Sequence, residues 1–138
     1  MSCVGARFGW LAICLLISLA AVAAGPVISP EDLAARMRAP NPPLLVDVRT
    51  QAEFREGHIA GAINVAHDEI AARWPALNVP RDEEFIVYCG TGRRAGLAQQ
   101  ALEALGYMRT RILDGGFEAW KKAGLPVENT AEAAPGHG

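Results

Sequence analysis

Cys89 begins the run Cys89-Gly90-Thr91-Gly92-Arg93-Arg94, a thiol followed directly by two glycines and two arginines. Thiol chemistry runs through the thiolate, and a basic or helix-terminal setting is what favours that form. Gly90 and Gly92 let consecutive backbone amides converge on one point, the geometry of an anion-binding nest. Arg93 and Arg94 add planar donor forks suited to an oxyanion. A lone cysteine is otherwise read as a small buried hydrophobe. The glycines and arginines after Cys89 move the reading to a reactive nucleophile.

Strands and helices must hold that loop in place. Glu84-Phe85-Ile86-Val87-Tyr88 is a short apolar run that predicts a strand with Cys89 at its carboxyl end. After the loop, Ala95 to Leu105 reads as a helix with Leu97, Leu102 and Leu105 on one face, ended by Gly106. Upstream, Ser29-Pro30-Glu31-Asp32 predicts a helix start, with Ser29 as N-cap, running to about Arg38. Leu44 to Val48 and Ala62 to Val65 read as strands. Thr50-Gln51-Ala52-Glu53 fits a capping box, and Gly57 and Gly61 bracket a loop. Asp68 to Arg73 predicts a helical turn or two ending near Pro75. Arg111 to Leu113 predicts a fourth strand, Gly115-Gly116 a tight turn, and Phe117 to Ala123 a last helix. Strands alternating with helices imply an α/β fold: a central, mostly parallel sheet flanked by helices on both faces. Ligands of such sheets sit outside the carboxyl ends of the strands, where Cys89 falls.

The first 24 residues carry Arg7, then an apolar stretch from Phe8, then the small-residue patterns Ala21-Val22-Ala23 and Val22-Ala23-Ala24. That order predicts a cleaved secretory signal peptide and a periplasmic location. The 17 apolar or small residues from Phe8 to Ala24 are also just enough for an uncleaved membrane anchor. Residues 25–128 then form one domain, and 129–138 a loose tail without apolar periodicity. Cleavage removes Arg7, so the 13 basic and 15 acidic residues of the 138-residue chain become 12 and 15, a net charge of −3. That balance argues against nucleic acid as a partner. Cleavage also removes Cys3 and Cys14, leaving Cys89 as an unpaired thiol in an oxidising compartment. His58, His67 and His137 lack cysteine partners and ligand spacing, so no metal is indicated, and no cofactor is called for.

Several segments together resemble the rhodanese family of single-domain sulfurtransferases, over essentially all of residues 29–127. They are Asp47-Val48-Arg49 with Glu53-Phe54, Gly57-His58-Ile59-Ala60-Gly61-Ala62-Ile63-Asn64, and Tyr88-Cys89-x-x-Gly92-x-Arg94. Leu113-Asp114-Gly115-Gly116-Phe117-x-Ala119-Trp120 and Gly124-Leu125-Pro126-Val127 complete the set. With the export signal, the chain looks most like the small periplasmic members. The resemblance implies a two-step transfer in which Cys89 takes sulfur from thiosulfate or another sulfane-sulfur donor and becomes a persulfide. A thiol, cyanide or a protein cysteine then accepts it. It also implies that the amides of Gly90, Thr91, Gly92, Arg93, Arg94 and Ala95 hold the persulfide, and that Arg93 or Arg94 binds the donor's sulfonate.

Many family members carry Ser or Thr where this chain has Ala95, so one hydroxyl contact to sulfur or substrate is absent. Phosphatase and arsenate-reductase relatives place an arginine six positions after the cysteine, whereas Arg94 is five after Cys89. The shorter loop favours sulfur over phosphate. A non-catalytic, partner-docking module is the other alternative, and retention of Cys89 argues against it. Asp47 and Arg49 either support the loop or make structural hydrogen bonds. Glu53 is placed to pair with Arg49, four residues before it. His58 and Trp120 read as structural.

Overall fold

Ser29 starts the first helix as its residue type predicts. A computed structural model describes residues 27–130; the predicted signal segment, residues 1–24, and most of the predicted tail lie outside them. The Asp32 amide donates to Ser29 Oγ at 3.1 Å, and Pro30 opens α1 (Pro30–Met37). Before it lies β1 (Val27–Ile28), then β2 (Leu44–Asp47) and α2 (Gln51–Glu56) follow. The capping box at Thr50 forms: Glu53 N–H donates to Thr50 Oγ1 at 3.2 Å, and Thr50 N–H to Glu53 Oε2 at 3.1 Å. Next come β3 (His58–Ile59), β4 (Ile63–Asn64) and α3 (Ile70–Arg73), which runs into a 3₁₀ turn, Trp74–Leu77. β5 (Phe85–Tyr88), α4 (Arg93–Ala104), β6 (Thr110–Leu113), α5 (Gly116–Lys122) and β7 (Val127–Glu128) complete the order.

Five strands form one parallel sheet in the order β1-β6-β5-β2-β4, so the strand that delivers Cys89 lies at its centre. Alternate residues of β5 serve opposite faces. Phe85, Val87 and Cys89 join the core under α3 and α4, whereas Ile86 and Tyr88 join that under α1 and α5. A strand buried on both faces needs a continuous apolar run, which Phe85-Ile86-Val87-Tyr88 supplies. Each such side chain contributes about 1.5–3 kcal/mol by leaving water. The expected α/β architecture, a central parallel sheet between helices, is therefore observed.

The structure corrects the sequence reading at three places. The span between Gly57 and Gly61 is not all loop: His58 and Ile59 pair antiparallel with Glu128 and Val127. α4 begins at Arg93 rather than Ala95, because Gly92 at φ +131° turns the chain directly into the helix. Its buried stripe is Ala95, Ala98 and Leu102, at helical spacing; Leu97, five residues before Leu102, falls on another face and is 47% exposed.

Candidate active site

Cys89 follows the last residue of β5, and its sulfur turns back toward the start of α4. Gly92 N–H donates to Cys89 Sγ at 3.0 Å. The first backbone bond of the helix is Gly96 N–H to Gly92 O, at 3.1 Å. The amides of Arg93, Arg94 and Ala95 therefore have no acceptor within the helix and carry the positive end of its dipole. The sulfur sits at an anion-favouring helix terminus. Two arginines in that first turn oppose the dipole unless an anion lies between them and the amides.

The other side of the loop is pinned by α5. Phe117 N–H donates to Cys89 O at 2.8 Å, and Glu118 N–H to Gly90 O at 3.1 Å. That approach requires Gly116. Its φ is +61°, and a Cβ there would lie 2.5 Å from Gly90 O and 2.6 Å from Cys89 O. Gly116→Ala is expected to cost about 2–4 kcal/mol, combining the left-handed backbone with overpacking. Urea denaturation measures it; a loss under about 1 kcal/mol would show that the two segments have slack.

Cys89 is only 1% exposed, so a reactant reaches it from within a cavity of about 430 Å³. His67, Cys89, Thr91, Arg93, Arg94 and Leu97 line it. Another cavity, about 370 Å³ beside Trp74 and Tyr107, shares none of these residues and holds neither thiol nor imidazole. Among the predicted site residues, Cys89, Thr91, Arg93 and Arg94 are thus brought together, and Gly90 and Gly92 shape the backbone between them. Ala95 packs its methyl into the core under α4, leaving only its amide at the helix start. His67 and Leu97 were not anticipated at the site.

The two arginines differ. Arg93 makes no ion pair or side-chain hydrogen bond with any described residue. Arg94 is gripped by Glu53, with Nη1 to Oε2 at 2.7 Å and Nη2 to Oε1 at 3.0 Å. The expected Glu53–Arg49 pair is therefore not the one formed, because Arg49 is committed elsewhere. The Arg94 bond holds the Glu53 carboxyl at about 2, below its ordinary 4.5; partial burial opposes this, and Thr50 adds donors in the same direction as Arg94. Arg94 is raised in turn by its bond to Glu53, with partial burial opposing the shift.

A lowered carboxyl stabilises the fold above its unfolded value and loses that contribution as pH falls through its folded value. For Glu53 the window is pH 4.5 down to about 2. With the Glu53 side chain 37% exposed, the pair contributes about 1 kcal/mol at most. Glu53→Gln keeps the capping box and removes the charge. Its deficit of about 0.5–1 kcal/mol at pH 7 is expected to vanish near pH 2, as urea midpoints would show. A deficit that persists there would assign it to packing.

Asp47 and Arg49 lie behind the loop. Asp47 is fully buried and accepts from Arg49 Nε at 3.1 Å and Nη2 at 2.7 Å. Arg49 Nη2 also donates to Gly57 O at 2.6 Å, and the guanidinium lies 4.2 Å from the Phe117 ring centre. Since Phe117 bonds Cys89 O, the pair reaches the loop through α5. Asn64 Nδ2 bonds the carbonyls of Asp47 and Arg49 at 2.9 and 3.0 Å, tying β4 to the same corner. Burial, and then the charge of Asp47, push the Tyr88 phenol up, so it stays protonated; its oxygen accepts from Ile59 N–H at 3.0 Å. His58 stacks on Phe54 and bonds its carbonyl at 2.7 Å. Trp120 is core, with Nε1 donating to Pro126 O at 2.9 Å.

A parallel α/β sheet whose central strand ends in a buried thiol, on a short loop running into a helix start, defines a protein with a cysteine loop at the carboxyl edge of its sheet. The family model for the rhodanese-like domain matches residues 29–123, and the chain belongs to that family. It is 36% identical over 100 residues to a sulfurtransferase of Allochromatium vinosum, covering 72% of this chain and 92% of that one. The structure is similar to a rhodanese-related protein of Thermoplasma volcanium: TM-score 0.64, 30% identity, 74% of this chain and 96% of that one. It also resembles a thiosulfate sulfurtransferase of Pseudomonas aeruginosa, with TM-score 0.68 and 30% identity, over 75% of this chain and 20% of that one. Other relatives are longer, the chain spanning 54%, 58% and 59% of three of them.

Proposed function

We propose that this protein is a sulfurtransferase that carries sulfane sulfur on Cys89 as a persulfide. The observation that carries this reading is the position of Cys89 Sγ, 3.0 Å from the Gly92 amide at the start of α4, in one cavity with the unpaired Arg93. In the first half-reaction the Cys89 thiolate attacks the outer sulfur of thiosulfate. A new S–S bond forms, the old one breaks, and sulfite leaves with its electron pair. Arg93 faces the sulfonate; Arg94, steadied by Glu53, holds a second positive charge beside the thiolate. The amides from Gly90 to Ala95 cradle the terminal sulfur. In the second half-reaction a thiol, cyanide or a protein cysteine takes that sulfur and frees Cys89.

The short loop supports sulfur over phosphate, since Arg94 stands five residues after Cys89. The basic, apolar and small-residue order of the first 24 residues supports export to the periplasm, with membrane attachment if they are retained. The test is turnover: purified protein with thiosulfate and cyanide should yield thiocyanate and leave an aryl phosphate intact. Aryl phosphate hydrolysis without thiocyanate would overturn the assignment in favour of a phosphatase.

A further inference from the structure

His67 is the cavity residue that the transfer described above does not use. The ends of three neighbouring strands place it there. Val48 N–H donates to Tyr88 O at 2.9 Å, and His67 N–H donates to Val48 O at 2.9 Å. This ladder crosses from the end of β5, where Cys89 begins, over β2 to the segment after β4. His67 thus lines the same cavity as Cys89, at the same end of the sheet. Its backbone is held, but its half-buried imidazole makes no hydrogen bond with any described residue. An imidazole carried into a reactive cavity by a fixed backbone, with its ring nitrogens unbonded among the described residues, is free to bond a reactant.

The two half-reactions differ in their need for a base. Thiosulfate gives up its outer sulfur without losing a proton. A thiol acceptor must lose one, because ordinary thiols are only a few per cent ionised at pH 7. Among the groups lining the cavity, the guanidinium groups of Arg93 and Arg94 offer donors and no acceptor, the Thr91 hydroxyl is no base at neutral pH, and Cys89 is occupied by the persulfide. The carboxylates that follow in the chain, Asp68 and Glu69, do not line it, and Glu69 is paired with Arg73 at 2.7 Å. Imidazole is the side chain best matched to proton transfer near neutral pH.

We propose that His67 is the general base for a thiol acceptor, and that it directs sulfur from the Cys89 persulfide to thiols; this rests on the persulfide reading above. A ring nitrogen of His67 takes the proton of the acceptor thiol. The acceptor sulfur attacks the outer sulfur of the persulfide, the Cys89 Sγ–S bond breaks, and its electron pair returns to Cys89 as thiolate. The acceptor leaves as a persulfide, and His67 passes its proton to water. The exposed Leu97 at the same cavity gives the carbon chain of such an acceptor an apolar contact.

Two acceptors separate this role from a structural one: glutathione, which must lose a proton, and sulfite, which simply reverses loading. Cys89 is loaded from thiosulfate and discharged in single turnover at pH 7. His67→Gln is expected to load and to discharge to sulfite within about threefold of the parent, and to discharge to glutathione about tenfold more slowly. Free imidazole should restore glutathione discharge in His67→Gly. Equal slowing with both acceptors, or slowing with sulfite alone, would overturn the proposal, the latter assigning His67 to anion binding. Unchanged glutathione discharge would overturn it too. These results leave the persulfide reading standing, whereas a parent protein that never loads removes both.

Discussion

Cys89→Ser is expected to abolish sulfur transfer, by at least about 1,000-fold, while leaving the fold in place. The two losses separate because the side chain does different things in each. Chemically, an alcohol is barely ionised at neutral pH and forms no stable equivalent of a persulfide. Structurally, the serine oxygen is close in size and still accepts from Gly92 N–H, as Sγ does at 3.0 Å. The burial of residue 89 therefore continues with its hydrogen bond made, and the stability change should stay within about 1 kcal/mol. Thiocyanate production and a urea titration on the same preparation check both halves. Substantial residual turnover would move the nucleophile elsewhere, and unfolding would mean that the sulfur holds the loop together.

Asp47→Ala is expected to produce the largest loss of stability, about 3–5 kcal/mol. The substitution strands the Arg49 guanidinium, whose side chain is 7% exposed, with Gly57 O and the faces of the Phe117 and Tyr88 rings as its remaining neighbours and no counter-charge in contact. A native domain has about 5–15 kcal/mol in hand, so this one change removes a large share of it. The penalty comes from the orphaned charge rather than from the lost attraction. Asp47→Ala combined with Arg49→Met should therefore be more stable than Asp47→Ala alone. Urea denaturation of the three variants decides. A double variant no better than the single would locate the cost in the hydrogen bond that Asp47 Oδ1 accepts from the Arg49 main-chain N–H, 2.9 Å in length.

The elements most legible in the sequence were those whose signal is local. Leu44-Leu45-Val46 and Phe85-Ile86-Val87-Tyr88 are apolar on successive residues because their strands are buried on both faces. The Ser29 and Thr50 caps are read directly, since a hydroxyl and its amide partner lie within one turn. The two-residue strands β1 and β7 escaped, as did β3, because such strands are defined by their pairing and not by their own composition. Leu97 was misplaced because a spacing of five from Leu102 does not share a helical face; the buried stripe is set by Ala95 and Ala98 with Leu102.

The candidate site was readable along the chain and less so across it. The Cys89 loop, its glycines and its arginines are contiguous. Glu53 gripping Arg94 and His67 facing the cavity of Cys89 are products of sheet order, which places β2 beside both β5 and β4. One signal was available for His67. It falls just past the carboxyl end of its strand, as Cys89 does, and ligands of parallel sheets gather at that end.

The proposed carrier of the transferred sulfur is Cys89 itself. The most direct test of that role is the mass of the protein after brief incubation with thiosulfate and removal of excess donor. A gain of about 32 Da, one sulfur atom, is expected on the peptide containing Cys89, and its loss on adding cyanide. Thiocyanate turnover with no such gain, or a gain on any other residue, would contradict that role.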